Sequence, residues 1–142
     1  MGRIIGIDYG RKRTGIAATD PMQIIANSIT TIASREVLKF LLNYTQNEVV
    51  EAFVIGYPRQ MNNKPSEAVK FIDPFIAQLK KAFPDKEIIL MDERFTSKIA
   101  FQTMITGGVK KKDRQNKALL DSISATIILQ SYLEQRNYRK NL

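Results

Sequence analysis

Residues 4–18, IIGIDYGRKRTGIAA, decide the fold of this 142-residue chain. The first apolar run ends in the carboxylate of Asp8, and a glycine-flanked basic turn leads to a second run that begins at Thr14. Short β-branched runs joined by a glycine-rich turn are typical of a β-hairpin. Asp8 is therefore expected at the end of a buried strand, where it either caps its own turn or is paired with a cation or metal.

Composition limits the chemistry that this chain can perform. The sequence contains no cysteine and no histidine. The lack of histidine excludes Ser-His-Asp and Cys-His triads and disfavours a zinc site. Hydrolysis is therefore expected to use carboxylates, lysine, tyrosine, hydroxyls or a metal-activated water. The apolar runs are too short for a bilayer, no signal peptide is evident, and the lack of cysteine fits a reducing compartment, so we expect a cytoplasmic protein with no membrane partner.

The charge balance favours a polyanionic partner. Lysine and arginine total 22 against 14 acidic residues, a formal net charge of +8. Such an excess favours nucleic acid through counterion release, although it is also compatible with a basic protein that binds none. The basic side chains that we expect to contact phosphates lie in the hairpin turn, after the fifth predicted strand and in a glycine-hinged loop over 107–117, namely Lys12, Arg13, Arg94, Lys110, Lys111, Lys112 and Arg114. The alternative for the loop is a solvated charge run.

The order of apolar patterns predicts an α/β domain that spans 1–142. Strands are predicted near 3–8, 14–19, 23–31, 52–55 and 87–91, and helices over about 34–45, 65–83, 96–107 and 117–136. Ser34 is the predicted N-cap of the first helix, and Pro74 is expected to kink or divide the second. Three strands followed by alternating helix and strand predict a five-stranded mixed sheet, antiparallel in its first three strands and flanked by helices.

Acidic residues stand at three points where a carboxylate is costly. Asp8 and the pair Asp92-Glu93 follow apolar strands, and side-chain alternation allows only one of that pair to face a given side of the sheet. Asp121 aligns with an apolar stripe on the last predicted helix. The ordinary alternatives are a turn cap, a strand end neutralised by Arg94, and a helix-edge residue that reaches solvent.

Taken together, these carboxylates predict a metal site. Ligand sites in α/β sheets usually lie outside the carboxyl ends of the strands, and carboxylates gathered there repel one another unless cations lie between them. A set of oxygen ligands suits Mg²⁺ or Mn²⁺, which can activate water and stabilise the leaving oxygen of a phosphodiester.

Four motifs, in order, resemble the YqgF (RuvX) family of the RNase H-like superfamily, which is described as Holliday-junction resolvases or pre-16S ribosomal RNA processing nucleases. They are GIDYGRKRTGIAATD at 6–20, VIGYPRQMNN at 54–63, LMDERFTS at 90–97 and LLDSISATIILQSYL at 119–133. The resemblance covers nearly the whole chain and implies an RNase H-like fold with divalent-metal catalysis. It implies Asp8, Glu93 and Asp121 as the catalytic metal ligands, and it alone favours Glu93 over Asp92.

The resemblance implies a metal-dependent endonuclease acting on structured nucleic acid, in pre-16S rRNA 5′-end processing, in Holliday-junction resolution, or in both. Junction resolution needs two symmetrical cuts, which favours a homodimer. No dimer face is evident in the sequence, so either a monomer or a homodimer is compatible with it. One rival is a non-catalytic nucleic-acid-binding factor in ribosome assembly. Another is a fragment of an actin-like or sugar-kinase-type ATP-binding protein, since DYG followed by a basic hairpin also occurs in such phosphate loops.

Overall fold

A computed structural model describes the backbone of residues 2–58, 67–92 and 117–140, and the side chains of these residues except 117–122 and 138–140. The strands are β1 (Arg3–Tyr9), β2 (Arg13–Thr19), β3 (Ala26–Ala33), β4 (Val50–Tyr57) and β5 (Glu87–Asp92), and the helices are α1 (Val37–Asn47), α2 (Val69–Ala82) and α3 (Lys117–Lys140). None of the helices within these ranges is long and apolar enough to cross a membrane.

The five strands form one sheet in the order β3-β2-β1-β4-β5. Strand β1 is antiparallel to β2, and β2 is antiparallel to β3. On its other side β1 is parallel to β4, which in turn is parallel to β5. The predicted mixed sheet is therefore confirmed, and the central strand β1 carries Asp8. The carboxyl ends of β1, β4 and β5 meet at one edge of the sheet.

Helices α1 and α2 cover one face of the sheet, which we call the α1/α2 face. Large apolar side chains fill this layer, and Phe53 of β4 packs against Phe83 with ring centroids 5.0 Å apart. The sequence places these side chains at alternate strand positions and at helical spacing, so each element turns an apolar stripe inward. The fully buried members of the layer include Ile5, Ile7, Ile16, Val37, Leu41, Phe53, Ile55 and Leu79.

Helix α3 covers the opposite face, which we call the α3 face. Its buried side chains are Ala125, Ile128, Leu129 and Leu133, and they pack on Ile4, Ala17, Ala52 and Val54. The predicted apolar stripe on the last helix is thus confirmed. Gly6 lies directly beneath α3 on this face: a Cβ at Gly6 would stand 2.8 Å from the Cβ of Leu129 and 2.9 Å from the carbonyl oxygen of Ala125.

Two local predictions were wrong in detail, those for Ser34 and for the start of β3. Ser34 is not an N-cap, because a 3₁₀ turn (Ser34–Glu36) precedes α1 and the Ser34 hydroxyl bonds elsewhere. Strand β3 begins at Ala26 rather than 23, because the Asp20 carboxylate accepts the amide hydrogens of residues 22, 24 and 25 and holds them in a turn. Helix α2 is one helix that contains Pro74. Its predicted start at 65 and the predicted helix over 96–107 lie outside the described residues.

Candidate active site

The Asp8 carboxylate lies at the carboxyl edge of the sheet, on the α3 face. Asp8 is the penultimate residue of β1 and is half-buried. Because side chains alternate along a strand, Asp8 shares a face with Ile4 and Gly6, both of which contact or approach α3. The predicted position at the end of a strand buried on both sides is therefore confirmed, and the exposed edge beyond Asp8 is where ligands bind in sheets of this kind.

The sheet surface around Asp8 is formed by residues without side chains. Asp8 pairs with Gly15 of β2. On the other side of β1, Ile7 pairs with Ile55 of β4, so the next residue of β4 beside Asp8 is Gly56. Together with Gly6, two residues earlier on the same face, these glycines surround Asp8. Gly15 and Gly56 therefore add no side chain beside the carboxylate, whereas Gly6 lies directly under α3.

Helix α3 runs antiparallel to β1, and this direction relates Asp121 to Asp8. At the amino end of β1, Arg136 Nη1 donates to Gln23 Oε1 at 2.6 Å, and Gln23 Nε2 donates to the carbonyl oxygen of Gly2 at 2.7 Å. Position 121 precedes Ala125 by four residues, which is about 6 Å along the helix. Asp8 follows Gly6 by two residues, which is about 7 Å along the strand. The backbone of α3 therefore carries position 121 toward the Asp8 end of the sheet. The Asp121 side chain lies outside the described residues.

The register of β5 determines which face of the sheet carries Asp92. Asp92 pairs with Tyr57 of β4, whose hydroxyl donates to Asp73 Oδ1 of α2 at 2.8 Å. Neighbouring residues of paired strands point to the same side, so Asp92 lies on the α1/α2 face, away from Asp8. Accepting this hydrogen bond, Asp73 raises the pKa of Tyr57, because the neutral phenol is the donor.

The basic turn at 10–13 lies at the same edge as Asp8 and is held by backbone hydrogen bonds. The Gly10 N–H donates to the Arg13 carbonyl oxygen at 3.0 Å, and the Ser34 N–H donates to the Lys12 carbonyl oxygen at 2.9 Å. The side chains of Lys12 and Arg13 are exposed. The structure therefore places Lys12 and Arg13, the predicted phosphate-binding residues of the hairpin, at the edge of the sheet that carries Asp8.

Two residues that flank this turn were missed by sequence reasoning. The Arg11 guanidinium lies over the ring of Phe71, with its Cζ 6.0 Å from the centroid. The Tyr9 ring stacks on Phe75 with centroids 4.2 Å apart, and burial raises the pKa of the Tyr9 hydroxyl. These contacts join the turn to α2. The available signal was an aromatic residue and an arginine on either side of Gly10, opposite a helix with phenylalanine at 71 and 75.

The other predicted site residues lie outside the described residues: Glu93, Arg94, Lys110, Lys111, Lys112 and Arg114. Within residues 2–58 and 67–92 and the described side chains of α3, no three acidic, histidine or cysteine groups gather in a metal-binding cluster. Of the predicted ligands, only Asp8 has a described side chain, so the full ligand set stays a prediction.

Known proteins match this chain over nearly its full length. A protein of Bacteroides fragilis named "Putative pre-16S rRNA nuclease" is 60% identical over 136 residues, which cover 96% of this chain and 99% of the relative. Proteins of the same name from Phocaeicola vulgatus and Flavobacterium psychrophilum are 57% and 58% identical, with 97% and 96% of this chain covered and 99% of each relative.

The fold has solved counterparts. Thermus thermophilus RuvC in complex with a Holliday junction substrate superposes with a TM-score of 0.58 at 14% identity, covering 95% of this chain and 96% of RuvC. At that identity the likeness shows the shared fold, which is RNase H-like. The family profile described as RuvX, Holliday junction resolvase, matches residues 2–135. By this match and by the identity to its relatives, the chain belongs to the RuvX (YqgF) family of nucleases.

Proposed function

We propose that this protein is a divalent-metal-dependent endonuclease that hydrolyses phosphodiester bonds of structured nucleic acid. One observation carries the proposal: the Asp8 carboxylate lies at the carboxyl end of the central strand, beside Gly15 of β2 and on the face that α3 covers. The close packing of α3 on Gly6 directs the Asp121 position toward the same end. Family membership supports the reaction class.

The residues present fit Mg²⁺ or Mn²⁺. Asp8, Glu93 and Asp121 offer oxygen donors only, which are the ligands these ions prefer. Asp92 lies on the opposite face from Asp8, which leaves Glu93 as the carboxylate of that pair in the proposed ligand set. When bound, the ion supplies Lewis acidity that stabilises negative charge at the scissile phosphate.

The chain's own residues hold the substrate around this centre. In the proposal, Lys12 and Arg13 bind phosphates of the backbone that leads to the cleavage point, because both are exposed at the carboxyl edge that carries Asp8. We expect further phosphate contacts from cations that lie outside the described residues, namely Arg94, Lys110, Lys111, Lys112 and Arg114. Since the sequence contains no histidine, proton transfer to the leaving oxygen falls to solvent, a carboxylic acid, a lysine or a tyrosine.

RNA is the proposed substrate class. The relatives at 57% to 60% identity carry a name that specifies pre-16S rRNA, and we extend that to 5′-end processing of the precursor in the cytoplasm. The four-way DNA junction is the second candidate, because the family description specifies it and a RuvC structure holds such a substrate. Junction resolution requires two symmetrical cuts and therefore a dimer, whereas end processing requires one.

A cleavage assay separates these candidates. Wild type and Asp8→Asn are compared on precursor 16S rRNA, a four-way DNA junction, duplex DNA and single-stranded RNA, with Mg²⁺, Mn²⁺ or chelator. We expect metal-dependent cutting, with RNA preferred, and loss of at least about 10³-fold in Asp8→Asn. Asp20→Asn is the matched control, because Asp20 is an exposed turn carboxylate at the opposite end of β2.

Each outcome of this assay has a distinct meaning. Cleavage retained by Asp8→Asn contradicts the metal assignment. Cutting restricted to the four-way junction moves the function to junction resolution. Salt-sensitive binding without any cutting favours the non-catalytic ribosome-assembly factor, for which the net charge of +8 suffices. The family match gives no support to the ATP-binding fragment.

A further inference from the structure

We infer that Ser34 is a positioning residue that holds the turn at 10–13 in the conformation that binds the phosphate backbone. This inference rests on the proposed function, since it assumes that Lys12 and Arg13 contact nucleic acid. Ser34 itself does not touch the substrate. It lies on the connection between β3 and α1 and is 7% exposed, so its polar atoms face the protein interior.

Ser34 binds the turn with both its backbone and its side chain. The Ser34 N–H donates to the Lys12 carbonyl oxygen at 2.9 Å. The Ser34 hydroxyl donates to the Gly10 carbonyl oxygen at 2.5 Å. Because a serine hydroxyl has only one hydrogen, the contact between the hydroxyls of Ser34 and the fully buried Thr14, at 2.8 Å, has Thr14 as its donor. The turn is thereby bonded to a residue more than 20 positions later in the sequence.

These hydrogen bonds determine which polar groups of the turn face solvent. The carbonyl oxygens of Gly10, Lys12 and Arg13 all accept hydrogen bonds from the protein. Carbonyl oxygens turned toward solvent would repel phosphate, whereas these three are engaged within the fold. The outer surface of the turn is thus left to the exposed cationic side chains, which favours a polyanion.

The other side of the turn is fixed by α2. Arg11 is held over Phe71, and Tyr9 stacks on Phe75. With both sides anchored, the ordering of the backbone precedes binding, and a preformed site loses less entropy when its ligand arrives. Removal of the Ser34 hydroxyl should release one side, so that the same cations bind phosphates less tightly.

A double-mutant cycle tests this coupling. Binding of a labelled stem-loop RNA is measured in chelator for wild type, Ser34→Ala, Lys12→Ala/Arg13→Ala, and the triple variant. We expect Ser34→Ala to weaken binding about fivefold, the effect of one lost hydrogen bond. In the Lys12→Ala/Arg13→Ala background, the same substitution should change binding less than about twofold, because the positioned cations are absent.

Thr19→Val is the matched control for lost stability. Thr19 is fully buried at the carboxyl end of β2, the strand that begins at Arg13. Its Oγ1 accepts the Ile4 N–H at 2.9 Å. This variant should lower the melting temperature as Ser34→Ala does, yet bind RNA like wild type. Ser34→Thr, which keeps a hydroxyl, should recover most of the lost affinity.

Four results would overturn the inference: unchanged binding by Ser34→Ala, an equal loss in both backgrounds, an equal loss in Thr19→Val, or absence of RNA binding by wild type. Because binding is measured in chelator, failure of the Asp8→Asn cleavage test would contradict the nuclease proposal and leave the Ser34 result standing.

Discussion

The two faces of the sheet are built on opposite principles. On the α1/α2 face, large side chains such as Phe53 and Phe83 fill the space between the sheet and the helices. On the α3 face, Gly6 has no side chain, and the backbone of α3 comes within close contact of the strand. The first arrangement maximises buried apolar area, and the second fixes the distance between α3 and β1. The stability of the fold and the placement of the proposed site therefore depend on different layers of the molecule.

Phe53→Ala is the largest test of the first layer. The truncation removes a fully buried ring and leaves a cavity, so we expect the free energy of unfolding to fall by about 3–5 kcal/mol. Denaturant unfolding measures this loss. At a temperature where the variant is still folded, its cleavage rate should match wild type. A lower rate in the folded variant would show that the α1/α2 face also positions the site.

Gly6→Ala tests the second layer. The new Cβ would meet Leu129 and the Ala125 carbonyl below 3.0 Å, so α3 has to move outward. We expect a loss of about 1–3 kcal/mol in unfolding free energy from overpacking. We also expect cleavage to fall by about 10²-fold, because a displacement near 1 Å misplaces the carboxylate at 121.

Gly2→Ala is the control for this substitution, because Gly2 lies just before β1, at the end of the strand away from Asp8. Its Cβ would stand 2.8 Å from Glu51 Cγ and 3.1 Å from the Glu51 backbone nitrogen, so this alanine also crowds its neighbours, but at the end of the sheet away from Asp8. Cleavage should therefore stay near wild type. If Gly6→Ala cleaved as fast as Gly2→Ala, the spacing of α3 from β1 would not control the site.

Gln23→Ala tests how α3 is fixed at the amino end of β1. Gln23 is buried and joins Arg136, which lies 113 positions later in the sequence, to Gly2 and Glu51. Loss of these bonds should lower the unfolding free energy by about 1–2 kcal/mol, which thermal unfolding would detect. Cleavage should fall only slightly, because the close contact at Gly6 remains. An effect on cleavage as large as that of Gly6→Ala would place control of the spacing at Gln23.

The smallest expected effect is a pH dependence at Glu51. Hydrogen bonds from the Gly2 N–H and Gln23 hold the pKa of Glu51 below its ordinary value of 4.5. A carboxyl whose pKa is lowered by folding stabilises the protein above that ordinary value and loses this contribution as the pH falls through the folded pKa. Glu51→Gln should therefore flatten the acid side of the stability profile, measured by unfolding from pH 6 to pH 3. An unchanged acid limb would contradict this.

The sequence was sufficient for those features that depend on local pattern. The order of strands and helices predicted the mixed sheet, and the apolar run that ends before a glycine-flanked turn predicted the end-of-strand position of Asp8. Helical spacing predicted the buried stripe with Ala125 and Leu129. These patterns are reliable because burial of a face is decided by the residues of the element itself.

Features that depend on distant partners were not predictable. Ser34 has the local signature of an N-cap, but its hydroxyl is used by the hairpin turn, which the sequence places more than 20 residues earlier. The face of Asp92 is set by pairing with Tyr57. The importance of Gly6 becomes apparent only when α3 docks on it.

The contact between Gly6 and Ala125 also orders the assembly of the protein. Strands β1, β2 and β3 are consecutive neighbours and need only short loops to pair, so they can form early. Helix α3 is the last of the described elements to leave the ribosome, yet it closes the face that carries Asp8. A nascent chain that lacks this helix holds the first carboxylate without the element that carries Asp121, so the proposed active site is completed late in synthesis.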